Sequence, residues 1–202
     1  MSKIRGLVII PSKMDSTRVK NKNLRIIAGK TLLEHSLDYA MKSKHTIDII
    51  VTSESLKVAD IVHRYRHNNI LEVYRHMVSI DKKAVHIVKR DKDYMGEREV
   101  ADVYVNVIQN DIYNPENHSH IRENGSILRE KLENVTHIVG VQPDHPDRTQ
   151  DLDTLLEYAV ENKYDDLFTV DNKGTRNGSV RIMKKEFVES GEISRRVGSY
   201  VD

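Results

Sequence analysis

The chain has 202 residues, of which 31% are charged and 38% are hydrophobic. These proportions are typical of a globular protein with one domain and a sizeable core. The net charge of +1 predicts no general attraction to nucleic acid or to an anionic membrane, and the absence of cysteine excludes disulfides and thiolate metal sites. No apolar run approaches the roughly 18 residues that a membrane span needs. We therefore expect a cytoplasmic protein without a nucleic-acid or membrane partner.

Short apolar runs predict buried β-strands at 7–10, 47–51, 85–88, 138–141 and 167–170. The segments between them carry apolar residues at the spacing of amphipathic helices. Helices are predicted within 31–41, 56–66, 100–112 and 151–160. Strands that alternate with helices indicate an α/β fold, with a mostly parallel sheet covered by helices on both faces.

Some segments of the sequence indicate their secondary structure more clearly than others. Thr31 and Glu34 have the spacing of a capping box, which predicts a sharp start for the first helix. Residues 70–83 fit no pattern, and 113–126 predict a polar loop. Residues 177–183 alternate only weakly and predict an edge strand.

The segment VIIPSKMDSTRVKNKNL, residues 8–24, places four cations directly after the first predicted strand. In open α/β sheets, ligands bind at the carboxyl ends of the strands, where backbone N–H groups and cations can meet phosphates. Two interpretations stay open on composition alone. The segment is either a triphosphate-binding loop or a solvated surface loop.

Three collinear segments resemble the cytidylyltransferases that activate acidic sugars, the CMP-N-acetylneuraminate and CMP-ulosonic acid synthetases. The first is IIPSKMDSTRVKNKNLRIIAGKTLLEHSLDYAMKS at 9–43, and the second is VQPDHPDRTQDLDTLLEYA at 141–159. The third is RNGSVRIMKKEFVESGEI at 176–193. The resemblance implies a three-layer, Rossmann-like nucleotidyltransferase fold with a mostly parallel central sheet.

The resemblance also implies the site residues. Lys22 and Asp144 would be catalytic, and Asp144 would bind Mg²⁺, because hard cations prefer carboxylate oxygens. Gln142, Arg176 and Asn177 would bind the second substrate. The nucleotide-binding residues would be Pro11, Ser12, Lys13, Ser16, Arg18, Lys22, Asn23 and Arg90.

One departure from the family concerns the substrate side. Only six residues separate Val170 from Asn177, where the family has a longer excursion with dimer contacts. A second departure is that the sequence ends at Asp202, before the place where the family carries an Asp-x-Asp pair that binds the metal. We expect a single nucleotidyltransferase domain over 1–202, with a nucleotide-binding core at 1–170 and a shortened substrate-side segment at 171–202. A homodimer stays open.

The implied activity is transfer of CMP from CTP to an acidic sugar of the sialic or ulosonic acid type, with release of pyrophosphate. Mg²⁺ is the implied cofactor, and sugar activation for polysaccharide biosynthesis is the implied role. One alternative keeps the fold but uses a phosphonate or a sugar phosphate as acceptor. The other is a degenerate homologue that binds nucleotide without turnover.

Overall fold

The computed structural model describes residues 3–14, 19–75, 83–90, 100–112, 131–190 and 195–202. The strands in these ranges are β1 Gly6–Pro11, β2 Ile26–Ile27, β3 Lys30–Thr31, β4 Thr46–Ser53, β5 Val85–Lys89, β6 His137–Val141, β7 Asp166–Val170, β8 Arg176–Lys184 and β9 Val197–Val201. The helices are α1 Leu32–Lys42, α2 Leu56–Arg75, α3 Val100–Asn106, α4 Leu152–Glu161 and α5 Lys185–Ser190. A 3₁₀ turn covers Lys22–Leu24, and a π-helical turn, Val107–Ile112, continues α3.

Seven of these strands form one sheet in the order β5-β4-β1-β6-β8-β7-β9. β8 is antiparallel to both of its neighbours, and all other neighbours in this sheet are parallel. The predicted mostly parallel sheet is therefore confirmed. The strands after residue 170 join the same sheet, and the functional division expected at that residue stays a prediction.

The structure corrects the prediction that 177–183 is an edge strand. β8 lies inside the sheet, between β6 and β7. Val180, Ile182 and Met183 are all buried, so side chains on both faces of the strand are covered. A strand covered on both faces loses the alternation of a half-exposed strand, which is why the sequence pattern is weak.

The structure also extends the second predicted helix. We expected it to end at Arg66, but α2 continues to Arg75, so part of the segment without a pattern is helical. Arg64 and His67 are exposed, and these polar side chains interrupt the apolar stripe without breaking the helix. The predicted loop at 113–126 lies outside the described residues.

Helices cover both faces of the sheet, as predicted. Buried side chains of α1, α2 and α4 form one apolar cluster, and those of α3, the π-helical turn and α5 belong to a second. β1 contributes to both, with Val8 and Ile10 in the first cluster and Leu7 and Ile9 in the second. None of the helices in the described part of the chain is both long and apolar enough to span a membrane.

The capping box at the start of α1 is confirmed. The Glu34 backbone N–H donates to the Thr31 hydroxyl at 3.2 Å, and the Thr31 N–H donates to the Glu34 carboxylate at 2.8 Å. These contacts pair two backbone donors that the helix leaves free. They fix the start of α1, which follows the short strands β2 and β3.

Candidate active site

The loop after β1 is held at three points by other parts of the chain. The Ser12 N–H donates to the backbone oxygen of Thr52 at 2.9 Å, which continues the pairing of β1 with β4. The Met14 N–H donates to Oε1 of Glu54 at 2.7 Å. The Asn23 amide donates to the backbone oxygen of Lys13 at 3.1 Å. The backbone at 12–14 therefore has a fixed course along the carboxyl edge of the sheet.

A short turn brings Lys22 and Asn23 to this loop. Asn21 adopts a left-handed conformation with φ of 54°, which asparagine tolerates better than most residues. The 3₁₀ turn that follows buries Asn23, which is 4% exposed, and leaves Lys22 one-third exposed. Two of the predicted nucleotide-binding residues, Ser16 and Arg18, lie outside the described residues.

Lys22 contacts Asp144, and these are the two residues to which the resemblance assigns catalytic roles. Nζ of Lys22 donates to Oδ2 of Asp144 at 2.5 Å, although 122 positions separate the two residues. Asp144 follows β6, the strand next to β1, so the sheet order creates this pair. Nε2 of His145 lies 3.9 Å from the other Asp144 oxygen.

The environment of Asp144 keeps its carboxylate charged. Partial burial acts to raise its pKa, but the hydrogen bond and charge of Lys22 and the charge of His145 lower it, and the net pKa is below the usual value. The side chain is 29% exposed, so a ligand can reach it. An accessible, ionised carboxylate fits a Mg²⁺ ion that a nucleotide carries in, because protein-bound Mg²⁺ typically uses one or two carboxylates together with phosphate oxygens and water.

A complete metal site is one in which several protein side chains bind the ion. Among the described residues, no three His, Asp or Glu side chains are grouped in a way that could hold a metal ion. With Asp144 as an anchor, most of the metal's ligands would come from the substrate.

Gln142 is fixed by a residue that the sequence did not single out. Its side chain is hydrogen-bonded to the hydroxyl of Tyr104, a fully buried tyrosine on α3, and burial raises the pKa of that hydroxyl. The ring lies against Gly140, where an added Cβ would come 2.0 Å from the hydroxyl oxygen. Glycine is therefore needed at 140 for Tyr104 to reach Gln142.

Arg148 belongs to the second segment of the resemblance, but we had not assigned it to the site. Its guanidinium lies 4.8 Å from the ring centre of Tyr39 and donates to the backbone oxygens of Gln142 and Ser179. It thereby connects the end of β6 to the start of β8. No sequence pattern identifies such a role, because the partners are backbone atoms and an aromatic face.

Arg90 lies at the other side of the sheet edge, directly after β5. Its backbone N–H donates to Ser53 at 3.0 Å, and the residue is only 5% exposed. The order β5-β4-β1-β6-β8 places four strand spacings between β5 and β8, or about 19 Å. The predicted site residues therefore line a long edge rather than a compact cluster.

Arg176 and Asn177 lie at the β8 end of that edge, with different environments. Arg176 is exposed, and its guanidinium stacks 3.7 Å from the ring centre of Phe168. The Asn177 side chain accepts from Thr169 at 2.6 Å and donates to the backbone oxygen of Asp202 at 3.2 Å. Arg176 is thus available to a ligand, whereas Asn177 fixes the local backbone.

The fold and the polar edge together define a nucleotidyltransferase-like α/β protein. A family model described as Cytidylyltransferase matches residues 7–111, just over half of the chain. The protein therefore belongs to the cytidylyltransferase family.

Individual relatives agree with this family. The chain is 32% identical over 104 residues to 3-deoxy-manno-octulosonate cytidylyltransferase of Koribacter versatilis, and the match covers 52% of this chain and 36% of the relative. It is 36% identical over 62 residues to CMP-N,N'-diacetyllegionaminic acid synthase of Legionella pneumophila, which covers 31% of this chain and 27% of the relative. The chain thus matches about a third of the length of these curated relatives.

Solved structures share the fold. The structure of CMP:2-keto-3-deoxy-manno-octonic acid synthetase in complex with CTP has a TM-score of 0.59 at 12% identity, covering 98% of this chain and 90% of that chain. A cytidylyltransferase from Leptospira borgpetersenii has a TM-score of 0.56 at 15% identity, covering 98% and 76% of the two chains. These likenesses confirm the three-layer nucleotidyltransferase fold.

Proposed function

We propose that this protein transfers CMP from CTP to an acidic sugar of the ulosonic or sialic acid type and releases pyrophosphate. The observation that carries the proposal is the Lys22–Asp144 pair, which joins the loop after β1 to the loop after β6 in a member of the cytidylyltransferase family. The relatives named above support an acceptor of this kind through the sugar acids in their names.

Lys22 and Asp144 have different roles in the proposed reaction. Without ligand, the opposite charges of Lys22 and Asp144 hold each other at the sheet edge. When a nucleoside triphosphate binds with its divalent cation, the phosphate oxygens can pair with the ammonium group of Lys22. The metal can then bind the carboxylate of Asp144. A bound Mg²⁺ would offset the negative charge that builds up as pyrophosphate departs.

The chemical step is a displacement at the α-phosphorus. An acceptor oxygen forms a bond to this phosphorus, and the bond from phosphorus to the oxygen that bridges the α- and β-phosphates breaks. The hydroxyl proton passes to solvent, and pyrophosphate leaves with the electron pair. Lys22 stabilises the charge on the leaving group, because a fixed cation is most useful where charge develops.

The acceptor would lie toward β8, on the side away from Arg90. Arg176 presents an exposed guanidinium there, and its stacking on Phe168 limits its motion. Guanidinium groups bind carboxylates through two parallel hydrogen bonds. This matches the carboxylate that distinguishes an acidic sugar from a neutral one.

The test has two measurements. Thermal unfolding with magnesium and each of CTP, UTP, ATP and GTP should give the largest stabilisation with CTP, because a ligand stabilises the state that it binds. Pyrophosphate release from CTP should then depend on adding an acidic sugar from a panel of ulosonic and nonulosonic acids. Equal stabilisation by all four nucleotides would contradict the cytidine assignment.

A second candidate function is nucleotide binding without turnover. It is favoured by one observation: within the described ranges, no three His, Asp or Glu side chains are grouped so that they could hold a metal ion. Selective stabilisation by CTP with no pyrophosphate release over the whole panel, sugar phosphates and phosphonates included, would support this candidate over the enzyme.

A further inference from the structure

Three buried oxygen atoms at the carboxyl edge have no hydrogen-bond partner among the described residues. They are Oγ of Ser12, Oδ1 of Asn23 and Oε2 of Glu54. Ser12 is 0% exposed and Asn23 is 4% exposed. A buried polar atom without a partner costs free energy, so such atoms in a folded protein require an explanation.

All three residues are tied to the same short stretch of backbone. Ser12 is part of it, Asn23 donates to the oxygen of Lys13, and Glu54 accepts from the N–H of Met14. Residues 12–14 span at most about 7 Å between their outer Cα atoms. Asn23 and Glu54 therefore contact opposite sides of one peptide group, the Lys13 oxygen and the Met14 N–H, and Ser12 lies two residues before Met14.

The existing contacts also fix which atoms stay unpaired. The Asn23 amide uses its nitrogen on Lys13, so its oxygen is the acceptor that remains. Glu54 uses Oε1 on the Met14 N–H at 2.7 Å, so Oε2 remains. The unpaired set therefore consists of an amide oxygen, a carboxylate oxygen and a hydroxyl.

Oxygen atoms of these kinds pair with a hydrogen-bond donor or with a hard cation, and a nucleotide base offers the donor. Phosphate oxygens are excluded next to Oε2, because two negatively charged acceptors repel each other. In a cytidine nucleotide, the exocyclic amine of the base supplies two N–H donors, and a carboxylate is a good acceptor for this amine. Uracil has a carbonyl oxygen at the same position, which a carboxylate would reject.

We propose that Glu54 determines base specificity in this protein, with Oε2 accepting a hydrogen bond from the exocyclic amine of cytosine while Oε1 holds the Met14 backbone. The Ser12 hydroxyl oxygen is the acceptor for the second N–H of that amine. The inference rests on the proposed nucleotide site and assigns Glu54, which neither the sequence analysis nor the family resemblance singled out.

The decisive variant is Glu54→Gln, which keeps an oxygen for the Met14 N–H and replaces the second oxygen with an amide that donates. Calorimetric titration with CTP and with UTP, both with magnesium, gives the ratio of the two affinities. We expect the preference for CTP over UTP to fall by about tenfold or more, since hydrogen bonds to charged groups are worth about 1.5–3 kcal/mol. Glu161→Gln, an exposed residue at the end of α4, is the matched control and should keep the ratio of the unmodified protein.

Ser12→Ala separates binding from folding. The alanine removes a buried hydroxyl without a partner, so the Tm of the free protein should stay the same or rise. CTP affinity should nevertheless fall. A lower Tm for this variant would show that the hydroxyl stabilises the fold, and it would overturn its place in the acceptor set.

Other results would overturn the assignment of Glu54. If Glu54→Gln weakened the binding of CTP and of UTP equally, the residue would only hold the loop in place. A loss that disappears with dCTP would assign the carboxylate to the ribose 2′-hydroxyl instead of the base. An unmodified protein that binds CTP and UTP equally would remove base specificity altogether.

The titrations need neither an acceptor sugar nor turnover, so the two proposals can fail separately. Selective CTP binding through Glu54 without pyrophosphate release would sink the proposed reaction and leave the base assignment in place. Pyrophosphate release from CTP with an unchanged ratio in Glu54→Gln would do the reverse. Absence of nucleotide binding by the unmodified protein would overturn both.

Discussion

Each edge of the central sheet has a carboxylate with a buried oxygen atom, and the two carboxylates are paired differently. At the amino edge, the buried carboxylate of Asp48 accepts from the Ala84 N–H at 2.8 Å, from Lys131 at 2.9 and 3.0 Å, and contacts His86 at 3.1 Å. At the carboxyl edge, the oxygen atoms of Ser12 and Glu54 described above stay unpaired. The network around Asp48 stabilises the fold, whereas the unpaired oxygen atoms of Ser12 and Glu54 are, under our proposal, available to a ligand.

The pKa values of Asp48 and Asp144 are both lowered, but by different kinds of partner. Burial acts to raise the pKa of Asp48, but His86, the Ala84 N–H and Lys131 together lower it below the usual value. Asp144 also has a lowered pKa, yet its pairing depends mainly on Lys22, which is itself one-third exposed. A ligand can therefore break the pair at Asp144 much more easily than the network at Asp48. The amino edge also has unpaired atoms, Nε of Arg5 and Oγ1 of Thr46, but neither belongs to that network.

The largest effect that we predict on stability is the response of the amino edge to acid. Burial, with the charge of Lys184, lowers the pKa of His137 from 6.5 to about 4. Between these values the unfolded chain binds a proton at this imidazole and the folded chain does not, so the free energy of unfolding falls as the pH falls. The free energy of unfolding that depends on this histidine is highest above about pH 6.5. It falls by about 2.5 kcal/mol between pH 8 and pH 4.5.

Urea denaturation over this pH range, with His137→Gln and His63→Gln, measures the contribution. The first variant should lose the slope that His137 supplies, and the second should keep it, because His63 is exposed on α2. Parallel curves for the unmodified protein and His137→Gln would show that the amino edge has no such dependence.

At the carboxyl edge, the largest predicted effect is that of Asp144→Asn on turnover. The variant keeps the size of the side chain but removes the charge that would anchor a metal. We expect pyrophosphate release to fall about a hundredfold or more, in line with the loss of one preorganised electrostatic contact at a reacting centre. Asp147→Asn, an exposed residue of the same loop, is the control.

The stability of the Asp144→Asn variant distinguishes a ligand-binding role of Asp144 from a structural role. As a ligand-binding residue, it should change the Tm of the free protein little when it is replaced by asparagine. A large fall in Tm with unaltered turnover would make Asp144 a structural residue, and the contrast between the two edges would then fail at its central point.

The smallest of these effects is that of Lys22→Ala on binding. Lys22 should contact the β- or γ-phosphate, which CMP lacks, so the variant should weaken CTP about tenfold and CMP much less. Calorimetric titration of both nucleotides measures the difference. Lys20→Ala, which removes an exposed cation two residues away, should leave both affinities unchanged. The same loss for CTP and CMP in Lys22→Ala would mean that Lys22 does not contact the outer phosphates.

Much of the fold was predictable, because the strongest signals in this sequence are local. The runs 7–10 and 138–141 lie within β1 and β6, and the capping box of Thr31 and Glu34 starts α1 as expected. The prediction for β8 was wrong in its position, since the alternation pattern reports which faces of a strand are covered and not which strands lie beside it. The roles of the site residues stay predictions that the experiments above address.

The sequence alone determined the alternation of strands and helices, the place of the basic segment after the first strand, and the resemblance that led to the cytidylyltransferase family. The tertiary structure decided which distant residues meet. Lys22 reaches Asp144 only because β6 lies beside β1, and Glu54 reaches Met14 only because β4 lies on the other side. Periodicity and capping act over a few residues and can be seen along the chain, but contacts across 40 or 122 positions depend on strand order, which no local pattern records.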